Sequence, residues 1–227
     1  MSGRSFVQKN SLPGSIGVSV GVWLFCGTVL QIAGLFFFVI TARGKENDMK
    51  RKTMIMDEAA LRRAMARITH EIIERNQGAE EICLLGVERR GIHLANMLAE
   101  NIRKFEGVVV PLGSLDITKH RDDMSDEDKQ NIESRGHRIP CDIREKTVII
   151  VDDVLYTGRS ARAALEAVFS NARPRAVQLA VLIDRGHREL PIRPDYVGKN
   201  LPTAKSELVA VNVRQIDGEN GVYIYEK

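Results

Sequence analysis

One stretch, VIIVDDVLYTGRSA at 148–161, constrains this chain more tightly than any other. Four apolar residues run into two adjacent carboxylates, Asp152 and Asp153, and a turn, Thr157-Gly158-Arg159-Ser160, leads into a helical pattern. A short apolar run bounded by a glycine turn reads as a buried strand, and in open parallel sheets ligands bind beyond the carboxyl ends of the strands. The turn supplies backbone N–H groups, hydroxyls and a glycine at a helix N-terminus, which suits a phosphate. Ionised carboxylates accept strong hydrogen bonds from O–H donors, which suits the vicinal hydroxyls of a sugar. Together these features describe a site for a ribose 5-phosphate. A strand, a surface Asp pair and an ordinary helix start are the plainer alternative, and the completeness of the pattern argues against it.

The surrounding chain alternates strand and helix patterns. Leu61, Met65, Ile68 and Ile72 form an apolar stripe at helical spacing, with Asp57 as N-cap and Gly78 at the far end. Residues 81–87 read as a buried strand and 91–104 as a helix. Strands are expected at 108–113, with Asp116 just beyond, and at 147–151. A helix follows at 159–171, then strands at 176–183, 207–213 and 222–225. Residues 119–146 are polar and unpatterned, and a loop of that length inside a domain is usually functional. The fold class is α/β, a parallel sheet covered by helices.

The first 48 residues differ from the rest. From Ile16 to Ile40 there are 25 residues without a charge, enough to cross a bilayer as a helix. Basic residues after it (Arg43, Lys45, Lys50, Arg51, Lys52) outnumber those before it (Arg4, Lys9), which would keep the body cytoplasmic. The competing reading takes Met49 as the natural start and 1–48 as upstream sequence translated from a wrong start site. Both divide the chain into 1–48 and 49–227, and both leave the body in the cytoplasm. Net charge is +3, so no general nucleic-acid coat is implied and any polyanion site must be a local cluster. Cys26, Cys83 and Cys141 are far apart in sequence and fit a reduced compartment without a disulfide framework.

A second loop agrees with the first. LLGVERRGIHLA at 84–95 reads as a strand, a tight turn bounded by Gly86 and Gly91, and a helix. The two loops together resemble the type I phosphoribosyltransferases, which bind 5-phosphoribosyl-1-pyrophosphate (PRPP). That resemblance implies the type I phosphoribosyltransferase fold, with a parallel-sheet core, a mobile loop and a small hood. It assigns Asp152, Asp153, Val154, Leu155, Tyr156, Thr157, Gly158, Arg159 and Ser160 to the ribose and 5-phosphate, and Arg89, Arg90 and Gly91 to the pyrophosphate. Mg²⁺ would be held through PRPP and water, with no direct protein ligand.

Three further stretches, 60–76, 115–123 (LDITKHRDD) and 182–203, resemble the bifunctional pyrimidine-operon attenuators and uracil phosphoribosyltransferases of the PyrR family. The similarity runs from about Thr53 to Tyr225. It implies that uracil and PRPP give UMP and pyrophosphate, with Asp152, Asp153 and Arg121 as catalytic residues and Asp184, Arg185 and Gly186 near uracil. It also implies UMP-dependent binding to pyrimidine leader mRNA, and a dimer or higher oligomer. Two positions depart from the family: His120, where an aromatic is usual, and Arg89, where a threonine is common. His120 reads as a loop-closure contact or, more simply, as a solvated residue.

For RNA, Arg63, Arg67, His70 and Glu74 share one face of the first helix, and His187, Arg188, Arg193 and Lys199 form a second basic set. The bland reading is a solvated polar face. Arg67, His70, Arg75, His187, Arg188 and Lys199 match the family's pattern, and no aromatic interleaves the patch in sequence. Two alternative functions stay open: an RNA-binding regulator with negligible catalysis, and a phosphoribosyltransferase for another base such as a purine.

Overall fold

A computed structural model describes residues 50–120 and 136–226. The apolar segment 16–40 and Arg121 lie outside the described residues. Among those described, no helix is long and apolar enough to cross a membrane.

The elements in chain order are β1 (Lys50–Met56), α1 (Glu58–Asn76), β2 (Ile82–Val87), α2 (Gly91–Glu106), β3 (Leu112–Leu115), a 3₁₀ turn (Thr118–His120), β4 (Thr147–Leu155), α3 (Arg159–Asn171), β5 (Ala176–Asp184), β6 (Tyr196–Asn200), β7 (Glu207–Asn212), α4 (Arg214–Asp217) and β8 (Gly221–Glu226). Five strands form a sheet in the order β3-β2-β4-β5-β6, parallel throughout. The other three form an antiparallel sheet, β1-β8-β7.

The inner strands β2, β4 and β5 are buried on both faces over most of their length, which is why they are largely continuous apolar runs. Ile82, Leu84, Ile149, Val151, Ala180 and Leu182 face α1 and α2. Their alternates Cys83, Leu85, Val148, Ile150 and Val181 face α3, whose inner side is lined by Ala161, Ala163, Ala164, Ala167 and Val168. Val209, Val211 and Val222 of the antiparallel sheet join the first cluster. Asp57 caps α1 by accepting the Ala60 N–H at 2.7 Å, and the chain leaves that helix through a left-handed Gln77.

Four features depart from the sequence expectation. The strand foreseen at 108–113 begins at Leu112: Pro111 offers only a carbonyl, which accepts the Leu84 N–H, and Val109 is exposed. β4 does not stop at Val151 but carries the Asp pair within it as far as Leu155. β1 and β6 were not anticipated. The polar stretch 119–146 is anchored within its described part. Ser114 and Arg138 exchange backbone hydrogen bonds of 3.0 and 2.9 Å, and Ile143 is buried. The anchoring also brings Cys141 against Cys83, far apart in sequence; burial first, then Cys141, pushes the Cys83 thiol up to about 12.

Candidate active site

β4 lies at the centre of the parallel sheet, and its C-terminal half delivers the two carboxylates. Asp152 is buried, with Oδ1 accepting the N–H of Asp153 at 2.9 Å, and Asp153 Oδ1 accepts the N–H of Val154 at 2.8 Å. Burial pushes the Asp153 carboxyl above its usual range. Opposing that shift are the Val154 N–H, the Arg90 guanidinium and the Asp152 side chain.

The turn that follows is shaped by Gly158, whose φ of 95° is readily available only to glycine. The Arg159 N–H approaches Thr157 Oγ1 at 3.4 Å. The back of the turn is braced by residues 188–190. The Thr157 carbonyl accepts the N–H groups of Glu189 (2.9 Å) and Leu190 (3.1 Å), and the Arg159 guanidinium pairs with Glu189 Oε2 at 2.8 Å. Glu189 was not singled out by the sequence.

The second loop joins β2 to α2. A side chain at Gly86 would strike the Ile92 backbone at 2.3 Å, and one at Gly91 would strike the Val151 carbonyl oxygen at 2.3 Å. These two glycines therefore let the loop lie against β4, next to the Asp pair. The Glu88–Arg89 peptide is cis. Arg90, half-buried, points a forked contact at Asp217 of α4, Nη2 to Oδ1 at 2.9 Å and Nε to Oδ2 at 3.3 Å. Its charge is also felt by Asp153. Arg89 is exposed. Arg90, Asp152 and Asp153, expected to act together, are thus neighbours at the end of β4.

The residues assigned to uracil behave differently from one another. Asp184 spends Oδ1 on the Gly186 N–H and Oδ2 on Arg188. Arg185 is buried, bonded to Thr203 Oγ1 and the Glu207 carbonyl, with its guanidinium 4.0 Å above the Tyr156 ring. Both side chains serve the loop's own scaffold. Gly186 has φ 77° and open space where a side chain would begin.

His120 is anchored rather than solvated, correcting the simpler reading. Its Nδ1 lies 3.4 Å from Glu166, its ring stacks on His137, and its carbonyl accepts from Arg162 at 2.6 Å. The hydrogen bond to His120 is the main reason the Glu166 carboxyl is held below its usual range.

The basic residues expected at an RNA face divide into two groups. Arg67 grips the Val197 and Gly198 carbonyls at 2.8 and 2.7 Å and pairs with Glu71. Arg75 pairs with Asp195 at 2.7 Å, and His187 Nε2 lies 2.5 Å from the Thr203 carbonyl oxygen. Arg188 is turned inward onto Asp184 and the carbonyls of Tyr156 and Ile192. Arg193 and Lys199 are exposed. Phe105, which the sequence left out, stacks on His70 with ring centroids 4.3 Å apart and 10° between planes, and is 42% exposed. An aromatic surface therefore does adjoin the helix face that carries Arg63 and Arg67.

Comparison with known proteins places these features. Residues 52–215 match the phosphoribosyl transferase domain family. The chain is 58% identical over 169 residues to the bifunctional protein PyrR of Brevibacillus brevis, covering 74% of this chain and 94% of that one. It is 54% identical over 180 residues to the bifunctional protein PyrR of Bacillus pumilus, covering 79% of this chain and all of that one. Among solved structures it resembles a hypoxanthine-guanine phosphoribosyltransferase from Bacillus anthracis, with a TM-score of 0.59, 19% identity, and 78% and 99% of the two chains covered. A hypoxanthine phosphoribosyltransferase from Trypanosoma cruzi gives 0.56 at 18% identity, covering 78% and 91%. At those identities the structures speak for the fold alone, a type I phosphoribosyltransferase fold.

Proposed function

The chain belongs to the family of the bifunctional protein PyrR, and from that membership we propose that it performs two tasks. The protein is a uracil phosphoribosyltransferase, converting uracil and PRPP to UMP and pyrophosphate. It is also a UMP-dependent regulator that binds leader RNA to attenuate transcription of pyrimidine genes.

The observation that carries the catalytic reading is the close seating of the β2–α2 loop on β4, where Gly91 lies against the Val151 carbonyl and the Asp152 backbone, next to the Asp pair that precedes the Thr157–Ser160 turn. As pyrophosphate departs, the ribose carbon becomes electron-poor, and the protein needs to hold the partners and balance charge. Asp152 and Asp153 take the ribose hydroxyls. The N–H groups of the turn and the hydroxyls of Thr157 and Ser160 take the 5-phosphate, while Arg90, with Arg89, Gly91 and Arg121, takes the pyrophosphate. Gly186 and its neighbours offer backbone groups to uracil.

Mg²⁺ fits this donor set through its substrate. Among the described residues no three His, Cys, Asp or Glu side chains gather to hold an ion alone, whereas the Asp pair offers hard oxygens to metal-bound water. When bound, the ion neutralises developing charge on the phosphates. RNA phosphates would meet Arg193 and Lys199, with Arg67, His70, Arg75, His187 and Arg188 shaping the face around them. The catalytic body is 49–227, whose described residues form a compact unit, and it works in the cytoplasm as a dimer or higher oligomer.

The test is UMP formation from PRPP, Mg²⁺ and uracil, with orotate, hypoxanthine and xanthine alongside. Asp152→Asn/Asp153→Asn serves as the control, and a gel shift with leader RNA is run with and without UMP. Uracil-selective turnover, lost in the double variant, and UMP-enhanced RNA binding are expected. Turnover on a purine would overturn the base assignment, and folded protein that binds RNA without turnover would reduce the function to regulation.

A further inference from the structure

We propose that Asp217, in the one-turn helix after β7, is a positioning residue for pyrophosphate, acting through Arg90. The inference rests on the reading that Arg90 meets the leaving group. A long arginine on a loop has many rotamers, and only those aimed at the reacting end help. Asp217 removes that freedom. Its two oxygens take the Nε and Nη2 edge of the guanidinium, and an arginine held along one edge of its planar fork has the other edge fixed in direction.

The carboxylate is itself held. Asp217 Oδ2 accepts the Val213 N–H at 2.8 Å, and Val213 is buried at the end of β7. The grip thus comes from the antiparallel sheet and reaches a loop of the parallel one, across 127 positions of sequence. Arg90 and Asp217 side chains are 32% and 18% exposed, so water only partly screens the pair.

UMP carries no pyrophosphate, so the role has a selective signature. In the full-length protein, Asp217→Asn keeps an oxygen for the Val213 N–H but loses the charge-assisted grip. The KM for PRPP, and for pyrophosphate in the reverse reaction, should each rise about tenfold, with kcat within about threefold and UMP affinity unchanged. Asp217→Glu should recover part of the loss. In an Arg90→Lys background, which cannot take the fork, Asp217→Asn should add little. An unchanged or lowered KM for pyrophosphate overturns the inference, the lowered value making Asp217 a competitor for Arg90. Equal loss of UMP affinity overturns it too, as general damage. If the unaltered protein shows no turnover, the catalytic reading fails by itself. Calorimetric titration of Mg-pyrophosphate into protein with and without Asp217→Asn then decides the pairing, equal affinities being the negative result.

Discussion

Asp153 is held where burial resists its charge, and folding and catalysis should therefore pull in opposite directions at this residue. Below the unfolded value, near 3.8, both states keep the proton. Above it the unfolded chain ionises first, so an acid raised in the folded state weakens folding as pH climbs through the interval. Asp153→Asn should then raise the melting temperature of the unliganded protein at neutral pH and lose that advantage as pH falls toward about 4. Turnover should drop by about 100-fold or more. Calorimetry across that range checks the sign; a variant less stable at neutral pH would mean the ionised carboxylate supports the fold. Gly91 is the second residue to test. An alanine there places Cβ 2.3 Å from the Val151 carbonyl oxygen, and backbone cannot step aside cheaply. A loss of about 1–3 kcal/mol is expected by denaturant melt, with activity reduced further because the loop that carries Arg90 shifts. The Asp152–Asp153 pair stands out in the sequence by its place at a strand end before a glycine turn, whereas Arg90 and Gly91 were singled out by the resemblance of their loop to the family's. Glu189, Phe105 and Asp217 were not, since each acts on a partner that only the tertiary fold supplies.

The segment between β5 and β6 behaves as a brace as well as a candidate RNA surface. Arg188 reaches Asp184 at 2.6 Å and the Tyr156 and Ile192 carbonyls at 2.8 and 2.9 Å. Arg188→Ala should cost about 2–4 kcal/mol of stability, because partners half out of water lose their donor. Its effect on RNA should therefore come together with a lower melting temperature. Arg193→Ala and Lys199→Ala remove exposed charges and should leave melting unchanged. Removing a cation that neutralises one RNA phosphate should make the slope of log affinity against log salt shallower by about 1. Salt-dependent gel shifts beside thermal melts separate the two classes; equal melting losses in all three variants would contradict the division. Element boundaries followed the sequence where an apolar run or an amphipathic stripe was strong, as in α1, α3 and β5. They failed where that signal was weak. β1 opens with three charges and polar residues, KRKT, and β6, YVGKN, is an edge strand half open to water. The expected start of β3 overlooked the absent donor of Pro111.

At the scale of the molecule, the parallel sheet was readable because strands buried on both faces must be apolar throughout. The antiparallel sheet was not, because β1 and β8 come from opposite ends of the body and nothing local announces their pairing. Lys50 lies opposite Glu226. Since β1 starts at Lys50, protein comprising 49–227 should melt as one unit and turn over uracil within about twofold of the full chain. Assaying both forms checks this, and loss of turnover on removing 1–48 would make those residues part of the enzyme. The strand order β1-β8-β7 has a consequence for synthesis. The middle strand, β8, is translated after both of its neighbours, so neither has its partner until β8 has emerged from the ribosome. The parallel sheet can assemble earlier, as N-terminal parts generally do. Asp217 is also made late, and its sheet closes later still. A nascent chain should therefore place its carboxylate pair on β4 before Asp217 can pair with Arg90, a contact that waits for β8 to emerge.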